Sequence, residues 1–120
     1  RGQCVLRPGI KGLSETIRVR SIIGRFLEHS RIFHFGNDGS PEVYLSSADW
    51  MDRNLLRRVE VCFPILNIDL AKRVFNEGLE NYLVDNTQAW ELQTDGSYVR
   101  TSPGQGIAHM AQTNLMARLS

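Results

Sequence analysis

The clearest hydrophobic pattern in the chain lies in residues 68–85, where apolar side chains recur every three or four positions. This spacing puts them on one face of a helix, and Asn67 or Asp69 is placed to cap its first turn. We expect this face to pack into the core, because an apolar stripe of this kind is typical of packing and not of a cofactor site. A weaker pattern in residues 107–119 predicts a short amphipathic helix at the C-terminus.

Alternating apolar and polar residues predict several short strands. The predicted strands cover residues 3–6, 17–23, 31–35, 42–45, 58–63, 87–93 and 98–101. A turn at residues 36–41 separates two of these strands, and Asp95-Gly96 separates two others, so each turn predicts a hairpin. Residues 22–27 fit a strand and a helical turn equally well.

Strands interleaved with one long helix predict an α/β or α+β arrangement of layers. At 120 residues and 13.6 kDa the chain can bury one modest core, but it is too short for two catalytic domains. It opens on Arg1 without a methionine, at a stretch that predicts a strand, so we expect a piece of a larger protein. Residues 1–120 are predicted to form a single domain, in which Trp50 and Trp90 anchor the core or an interface.

The composition is ordinary for a globular protein, with 42% hydrophobic and 22% charged residues. No apolar run approaches the roughly 20 residues that a membrane-spanning helix needs. Cys4 and Cys62 lie in apolar strand-like runs without C-x-x-C spacing, so we expect buried, reduced thiols of a cytosolic protein. His29 and His34 are an odd number of residues apart and would face opposite ways on a strand, so no zinc site is predicted.

The net charge of +1 hides an uneven distribution. Residues 1–31 contain seven basic and two acidic residues, a local balance of +5 that leaves −4 for the remainder. Such a concentration favours a polyanion at one surface, although a solvated face that pairs with an absent domain explains it as well. Arg18, Arg20 and Arg25 fit residues of a channel for a polyanion, and an outward strand face or salt bridges explain them as well.

The candidate chemistry surrounds the first predicted hairpin. His29 lies two residues before Arg31, so both side chains would point to one side of a strand. Imidazole can act as nucleophile or as acid and base in phosphoryl transfer, and a guanidinium can hold two phosphate oxygens. Antiparallel pairing would bring both to the end of the sheet where Ser46, Ser47 and Asp49 follow the second strand. Asp49 is expected either to orient the site or to cap a helical turn.

The spacing of these residues resembles the half-site of the phospholipase D superfamily, which has the form His-x-Lys followed downstream by Gly-Ser-x-Asn. Three positions depart from that form, since Arg31 replaces lysine, Ser46-Ser47 replaces Gly-Ser and Asp49 replaces asparagine. The departures match one branch, the polyphosphate kinases of the long, bacterial, histidine-phosphorylated type. The runs that carry this closer resemblance are RGQCVLRPG, IRVRSIIGRFLEHSRIF, PEVYLSSADWM, RNLLRRVEV and DNTQAWEL.

The resemblance implies that the chain is the C-terminal part of the second phospholipase D-like catalytic domain of such a kinase, a partial domain with a mixed sheet flanked by helices. The implied reaction is reversible transfer of the terminal phosphate of ATP to inorganic polyphosphate through a phosphohistidine. His29, in its GRFLEHSRIF context, is the implied assisting catalytic histidine, and the phosphorylated histidine lies outside the chain. Arg1 matches an arginine that binds the nucleotide phosphates, and Arg31 is expected to bind phosphate beside His29. The implied supporting residues are Ser46, Ser47 and Asp49.

The resemblance also implies a cofactor and partners. Mg²⁺ would offset phosphate charge, but its ligands are expected outside this chain, and no metal ligand is predicted within it. The expected partners are ATP or ADP, inorganic polyphosphate, the remaining domains of the same chain and further copies in a homo-oligomer, without nucleic acid. We expect a cytoplasmic protein and leave membrane association open. Because the mechanism needs two histidines, this piece alone is expected to be inactive.

Two other functions compete with this hypothesis. The first is a phospholipase D-type phosphodiesterase or nuclease half-site with His29 as nucleophile or acid, and the departures at Arg31 and Asp49 weigh against it. The second is a non-catalytic module that binds polyanions through the basic N-terminal face alone. Turnover of a phosphodiester would favour the first, and tight binding without turnover would favour the second.

Overall fold

The computed structural model describes residues 4–120, so the predictions made for Arg1 and Gln3 lie outside the described residues. This part of the chain contains six short strands and four α-helices. The strands are β1 Arg20–Ile22, β2 Ile32–Phe35, β3 Glu42–Ser46, β4 Cys62–Pro64, β5 Ala89–Leu92 and β6 Tyr98–Arg100. The α-helices are α1 Asp52–Arg57, α2 Ile68–Phe75, α3 Asn81–Leu83 and α4 Ala111–Leu119.

The described residues form two compact units. The central unit is Leu27–Asn81, and the terminal unit comprises the described residues up to Phe26 together with Tyr82–Ser120. Each unit contains a three-stranded sheet, with the order β2-β3-β4 in the central unit and β1-β5-β6 in the terminal unit. The α/β class is therefore confirmed. The resemblance implies a mixed sheet, whereas the strands described here pair antiparallel throughout.

The predicted hairpin of the central unit is confirmed. β2 and β3 pair with Ile32 opposite Leu45, and a tight turn at Asn37–Gly39 joins them. Asn37 and Asp38 have φ angles of 42° and 48°, and Gly39 has a φ of 92°. Asparagine, aspartate and glycine tolerate this left-handed region best, which explains why this sequence turns the chain here.

The predicted central helix is also confirmed, with one change of geometry, but the expectation that its apolar face packs into the core is wrong, since none of the residues of α2 is buried and Leu70 is 52% exposed. Asn67 caps it, since its side chain accepts a hydrogen bond of 3.0 Å from the backbone amide of Leu70. The helix runs as α2, passes through a π-helical segment at Asn76–Glu80, and ends with α3. The apolar spacing does not distinguish a π-helical turn from an α-helical one, so the sequence pattern did not predict this segment.

The terminal unit contains the second predicted hairpin, formed by β5 and β6. Trp90 pairs with Arg100, and Gly96 has a φ of 89° in the connecting turn. The carboxylate of Asp95 accepts hydrogen bonds from both the amide and the hydroxyl of Ser97, which closes the turn. β1 then pairs with the other edge of β5.

A buried carboxylate holds the terminal unit together. Asp85 is 1% exposed, and its two oxygens accept hydrogen bonds from the backbone amides of Thr87, Gln88 and Ala111 at 2.7 to 3.0 Å. Ala111 is the first residue of α4, so Asp85 joins the start of that helix to the segment that leads into β5. Burial raises the pKa of Asp85, but these amides and that of Ala89 outweigh it and hold the pKa below its usual range.

Several predicted boundaries are wrong. Residues 4–6 form no strand, the strand predicted at 17–23 contains only β1, and the one predicted at 58–63 is replaced by β4. Residues 24–26 form bends, so the helical turn proposed for 22–27 is also wrong. The C-terminal helix begins at Ala111 and not at residue 107, because Asn86 hydrogen-bonds the backbone of Ile107 and His109 and keeps this segment extended.

The units leave many apolar side chains exposed. Val59 is 100% exposed, Leu56 78% and Trp50 79%, so Trp50 is not a core anchor. Cys4 and Cys62 are free and exposed, and the expectation of buried thiols is wrong because Cys62 lies on the edge strand β4 and Cys4 lies in an irregular segment. Among residues 4–120, none of the helices has the length and apolar character needed to cross a bilayer.

Candidate functional site

The β2–β3 hairpin brings Arg31 beside the polar cluster that follows β3. The backbone amide of Ser46 donates a 3.0 Å hydrogen bond to the carbonyl of Arg31, which continues the ladder one residue beyond the start of β2. His29 lies in the exposed loop two residues earlier. Pairing of the hairpin therefore places the histidine, the arginine and the Ser46–Asp49 segment at one end of the central sheet.

Arg31 and Asp49 form an ion pair at this end. The Nε of Arg31 donates a 2.8 Å hydrogen bond to Oδ1 of Asp49, and Arg53 lies 3.9 Å from the other carboxylate oxygen. The bond from Arg31 lowers the pKa of Asp49, and the positive charges of Arg31, Arg53 and His29 lower it further against the opposing effect of burial. Asp49 is therefore a stable carboxylate that partly neutralises Arg31.

The alternative role of Asp49 as a helix cap is wrong. Helix α1 begins at Asp52, and the cap position belongs to Met51, which makes no side-chain capping bond. The backbone carbonyl of Asp49 accepts a bond from the amide of Met51, but its carboxylate is directed to Arg31. The side chain is thus committed to the arginine.

Ser47 belongs to a hydrogen-bond network that the sequence did not reveal. Its hydroxyl donates to Oε2 of Glu60 and accepts a 3.0 Å bond from the amide of Val61. The other oxygen of Glu60 accepts a 2.7 Å bond from Asn54, which is 4% exposed. The hydroxyl of Ser47 and the amide of Asn54 lower the pKa of Glu60. In the sequence, the only indication of where the side chain of Glu60 lies was its position in an alternating run.

Ser46 plays a more local part. Its hydroxyl accepts a 3.1 Å bond from the amide of Ala48, which shapes the turn that leads to Asp49. Both serines therefore hold the segment that carries the carboxylate. The supporting role predicted for them at a ligand stays a prediction.

An open cleft of about 480 Å³ adjoins the ion pair. One side is formed by Arg31 and Asp49, and Phe33 and Trp50 stack there with ring centroids 6.0 Å apart. The complete lining is Ser30, Arg31, Ile32, Phe33, Ala48, Asp49, Trp50, Gly78 and Leu79. The cleft therefore combines a charged pair with apolar walls, and it lies next to the loop that carries His29.

The other predicted basic residues behave differently. Arg20 donates to the carbonyls of Tyr82, Leu83 and Asp85 and forms a salt bridge with Glu91, so its salt-bridge interpretation is confirmed. The guanidinium of Arg25 lies 5.3 Å from the ring centroid of Phe26, and Arg18 lines a separate cleft in the terminal unit. Arg1 lies outside the described residues.

A larger cleft of about 530 Å³ occupies another part of the central unit. It is lined mainly by apolar side chains, and His34 and Phe75 meet there with ring centroids 4.5 Å apart. None of the predicted site residues within 4–120 lines it, so size alone does not identify the candidate site.

Comparisons with known proteins agree on one family. The family described as "Polyphosphate kinase C-terminal domain 2" matches residues 1–112. A protein named "Polyphosphate kinase" from Pseudomonas aeruginosa PAO1 is 60% identical over 121 residues, covering 100% of this chain and 17% of the relative. A protein of the same name from Xylella fastidiosa Temecula1 is 58% identical over 120 residues, covering 99% of this chain and 17% of the relative.

A solved structure gives the same result. The crystal structure of polyphosphate kinase from Porphyromonas gingivalis matches with a TM-score of 0.83 and 36% sequence identity, over 88% of this chain and 16% of that one. This chain therefore spans about a sixth of the length of the relatives that it matches.

Proposed function

The chain belongs to the polyphosphate kinase family, and on that premise we propose that it supplies part of an active site that moves the terminal phosphate of ATP to polyphosphate and back. The proposal concerns the intact kinase. Within it, residues 1–120 act as a single domain, the C-terminal part of the second phospholipase D-like domain. His29 is the catalytic residue of this part, and Arg31 binds phosphate beside it.

The observation that supports this assignment best is the position of His29 relative to the ion pair. The histidine is exposed, and the guanidinium of Arg31 lies two residues away at an open cleft. The bond to Asp49 uses Nε, which is one of five N–H donors of an arginine side chain. A phosphate that enters the cleft would therefore meet a fixed guanidinium with donors to offer.

The chemical step follows from this arrangement. The bond between the γ-phosphorus of ATP and the oxygen of ADP breaks, and a nitrogen of a histidine outside this chain forms a bond to that phosphorus. Negative charge builds on the departing ADP oxygen, and His29 stabilises it by donating a proton or a hydrogen bond. Arg31 and Arg1 hold non-bridging phosphate oxygens. A terminal oxygen of polyphosphate then bonds to that phosphorus as the bond to the histidine nitrogen breaks, and in the reverse direction His29 accepts the proton again.

Magnesium would supply charge compensation for the phosphates when bound. Within residues 4–120 no group of three or more histidine, cysteine, aspartate or glutamate side chains is placed to hold a metal ion. We propose that its ligands lie in the rest of the kinase.

The partners follow from the same proposal. ATP or ADP and inorganic polyphosphate are the substrates, and nucleic acid is not a ligand. Other domains of the kinase chain cover exposed apolar side chains such as Leu56 and Val59, because exposed apolar surface of this extent marks an interface. We propose that the intact kinase is a homo-oligomer in the cytoplasm, with or without membrane association.

Replacing His29 by alanine in the intact kinase tests the proposal. Loss of acid–base assistance should lower kcat for polyphosphate synthesis on the order of 10³-fold. The matched control is His34→Ala, since His34 lies in the other cleft against Phe75 and should retain activity. Activity of the His29→Ala variant within ten-fold of the parent would contradict the proposal, and turnover of a phosphodiester by the parent would favour the phosphodiesterase alternative.

A further inference from the structure

We propose that Gly78 is a positioning residue for the phosphate-binding cleft. It lies in the middle of the π-helical segment, lines the cleft, and contributes no side chain. Its role is to leave room for Ile32, so that the start of β2 seats against the helix with Arg31 beside Asp49. The inference rests on the proposed function, in which Arg31 binds phosphate.

The backbone does not by itself require glycine at this position. The described glycines with positive φ are Gly9, Gly12, Gly39, Gly96 and Gly104, so Gly78 does not use the conformations that favour glycine. A glycine inside a helix is destabilising relative to alanine. Its presence here therefore needs another explanation, and the surrounding space provides one.

That space is filled by a single neighbouring side chain. A Cβ atom added to Gly78 would overlap Cδ1 of Ile32 and would lie 3.7 Å from Cγ1, which is an ordinary contact. No other group outside the helix lies within 4 Å of that position. The steric overlap is thus confined to the Cδ1 methyl group of Ile32. A substitution that removes this methyl group should relieve the overlap.

The π-helical turn brings Gly78 to this contact. The amide of Asn81 donates to the carbonyl of Asn76, which is the five-residue spacing of a π-helix. Such single turns widen a helix locally and are frequent at functional sites. The wide turn places both Gly78 and Leu79 in the lining of the cleft.

The contact can influence Arg31 because Ile32 follows it directly. Ile32 pairs with Leu45, and the carbonyl of Arg31 bonds to the amide of Ser46, so both residues are held by the same ladder. Cδ1 is the far end of the Ile32 side chain and moves about the second side-chain torsion, so a methyl group at position 78 would turn Cδ1 away from it. Because Ile32 and Gly78 both line the cleft, this rearrangement changes the space beside Arg31 and would disturb phosphate binding.

A double-mutant cycle in the intact kinase tests the inference. Gly78→Ala should raise KM for ATP about ten-fold with kcat within two-fold, because a misplaced phosphate contact that acts in the ground state changes binding. Ile32→Val removes Cδ1, so the Gly78→Ala, Ile32→Val double variant should return KM to within two-fold of Ile32→Val alone. A general loss of folding would lower the amount of active enzyme but would not raise KM and would not be rescued in this way.

The outcomes separate the inference from the proposed function. An unchanged KM in folded Gly78→Ala, or a double variant as impaired as the single one, overturns the role of Gly78. If Gly78→Ala does not fold, Ile32→Phe crowds the same contact from the other side and should raise KM, and an unchanged KM there overturns the inference. Wild-type kinetics in Arg31→Ala and His29→Ala would overturn the proposed function itself, whatever Gly78→Ala does.

Discussion

The two units use their charged side chains in opposite ways. In the terminal unit, Asp85 is buried against backbone amides and Arg20 binds backbone carbonyls, so these charges are committed to the fold. In the central unit, Arg31 and Asp49 bond to each other beside an open cleft. Removing a charged side chain that bonds backbone groups destabilises the fold. A charged pair at a cleft can instead share its hydrogen-bond donors with a ligand. The comparison therefore separates structural charges from candidate functional ones.

The largest expected effect on stability is that of Asp85→Ala. The substitution leaves three backbone amides in the terminal unit without their acceptor, which should lower the free energy of unfolding by about 3 kcal/mol. Chemical denaturation of the chain measures this loss. Asp95→Ala is the matched control, because Asp95 caps an exposed turn and should cost much less. Equal losses of unfolding free energy in the two variants would contradict the structural role assigned to Asp85.

Arg20→Ala should have the next largest effect. The guanidinium bonds to carbonyls at the end of α3 and to Glu91, and its loss should lower the free energy of unfolding by about 2 kcal/mol. Arg20→Lys should recover only part of the loss, because an ammonium group cannot reproduce the geometry of a guanidinium. A lysine variant as stable as the parent would contradict the assigned role.

Acidification should reveal the same buried carboxylate. Because the pKa of Asp85 is lower in the folded chain than in the unfolded one, its stabilisation is complete above pH of about 4 and is lost as pH falls through the lowered pKa. Denaturation midpoints measured from pH 6 to pH 2 should therefore fall most steeply below pH of about 4. Asp85→Asn should flatten that slope, and an unchanged slope would count against the assignment.

The smallest stability effect is expected for Asp49→Asn in the central unit. The carboxylate is partly exposed and pairs with a surface arginine, so the denaturation midpoint should hardly change. Tripolyphosphate should bind about two-fold to five-fold more tightly, because a negative charge that competes with phosphate for Arg31 is removed. Isothermal titration of the intact kinase measures both the direction and the size of this change in affinity, and weaker binding would show that the carboxylate of Asp49 is needed to hold Arg31 in place.

Local patterns predicted the elements that local chemistry determines. The two hairpins follow from the Asn-Asp-Gly and Asp-Gly turns, and the capped helix follows from Asn67 and the apolar spacing that begins at Ile68. Strand lengths could not be predicted in this way, because the ladder stops where tertiary contacts end it. Alternation suggested that residues 58–63 form a strand, yet the paired residues are Cys62–Pro64.

The candidate site also has features that local sequence predicts and features that it does not. The closeness of Arg31 to the segment after β3 follows from hairpin register, which a turn fixes locally. The partners of Asp49 and Ser47 depend on side-chain directions at the end of the sheet, and the role of Asp85 depends on contacts with Ala111, 26 residues away. Such long-range hydrogen bonds leave no periodic signal, and the π-helical turn at Gly78 leaves none either.

Binding of tripolyphosphate to the intact kinase tests the central claim most directly. Arg31→Ala should raise the Kd for tripolyphosphate at least about ten-fold, because a guanidinium at the cleft is lost. The matched variant Arg57→Ala, at an exposed position in the last turn of α1, should keep the Kd within two-fold of the parent. Equal affinities for the parent and Arg31→Ala would contradict the claim that this end of the central sheet binds phosphate.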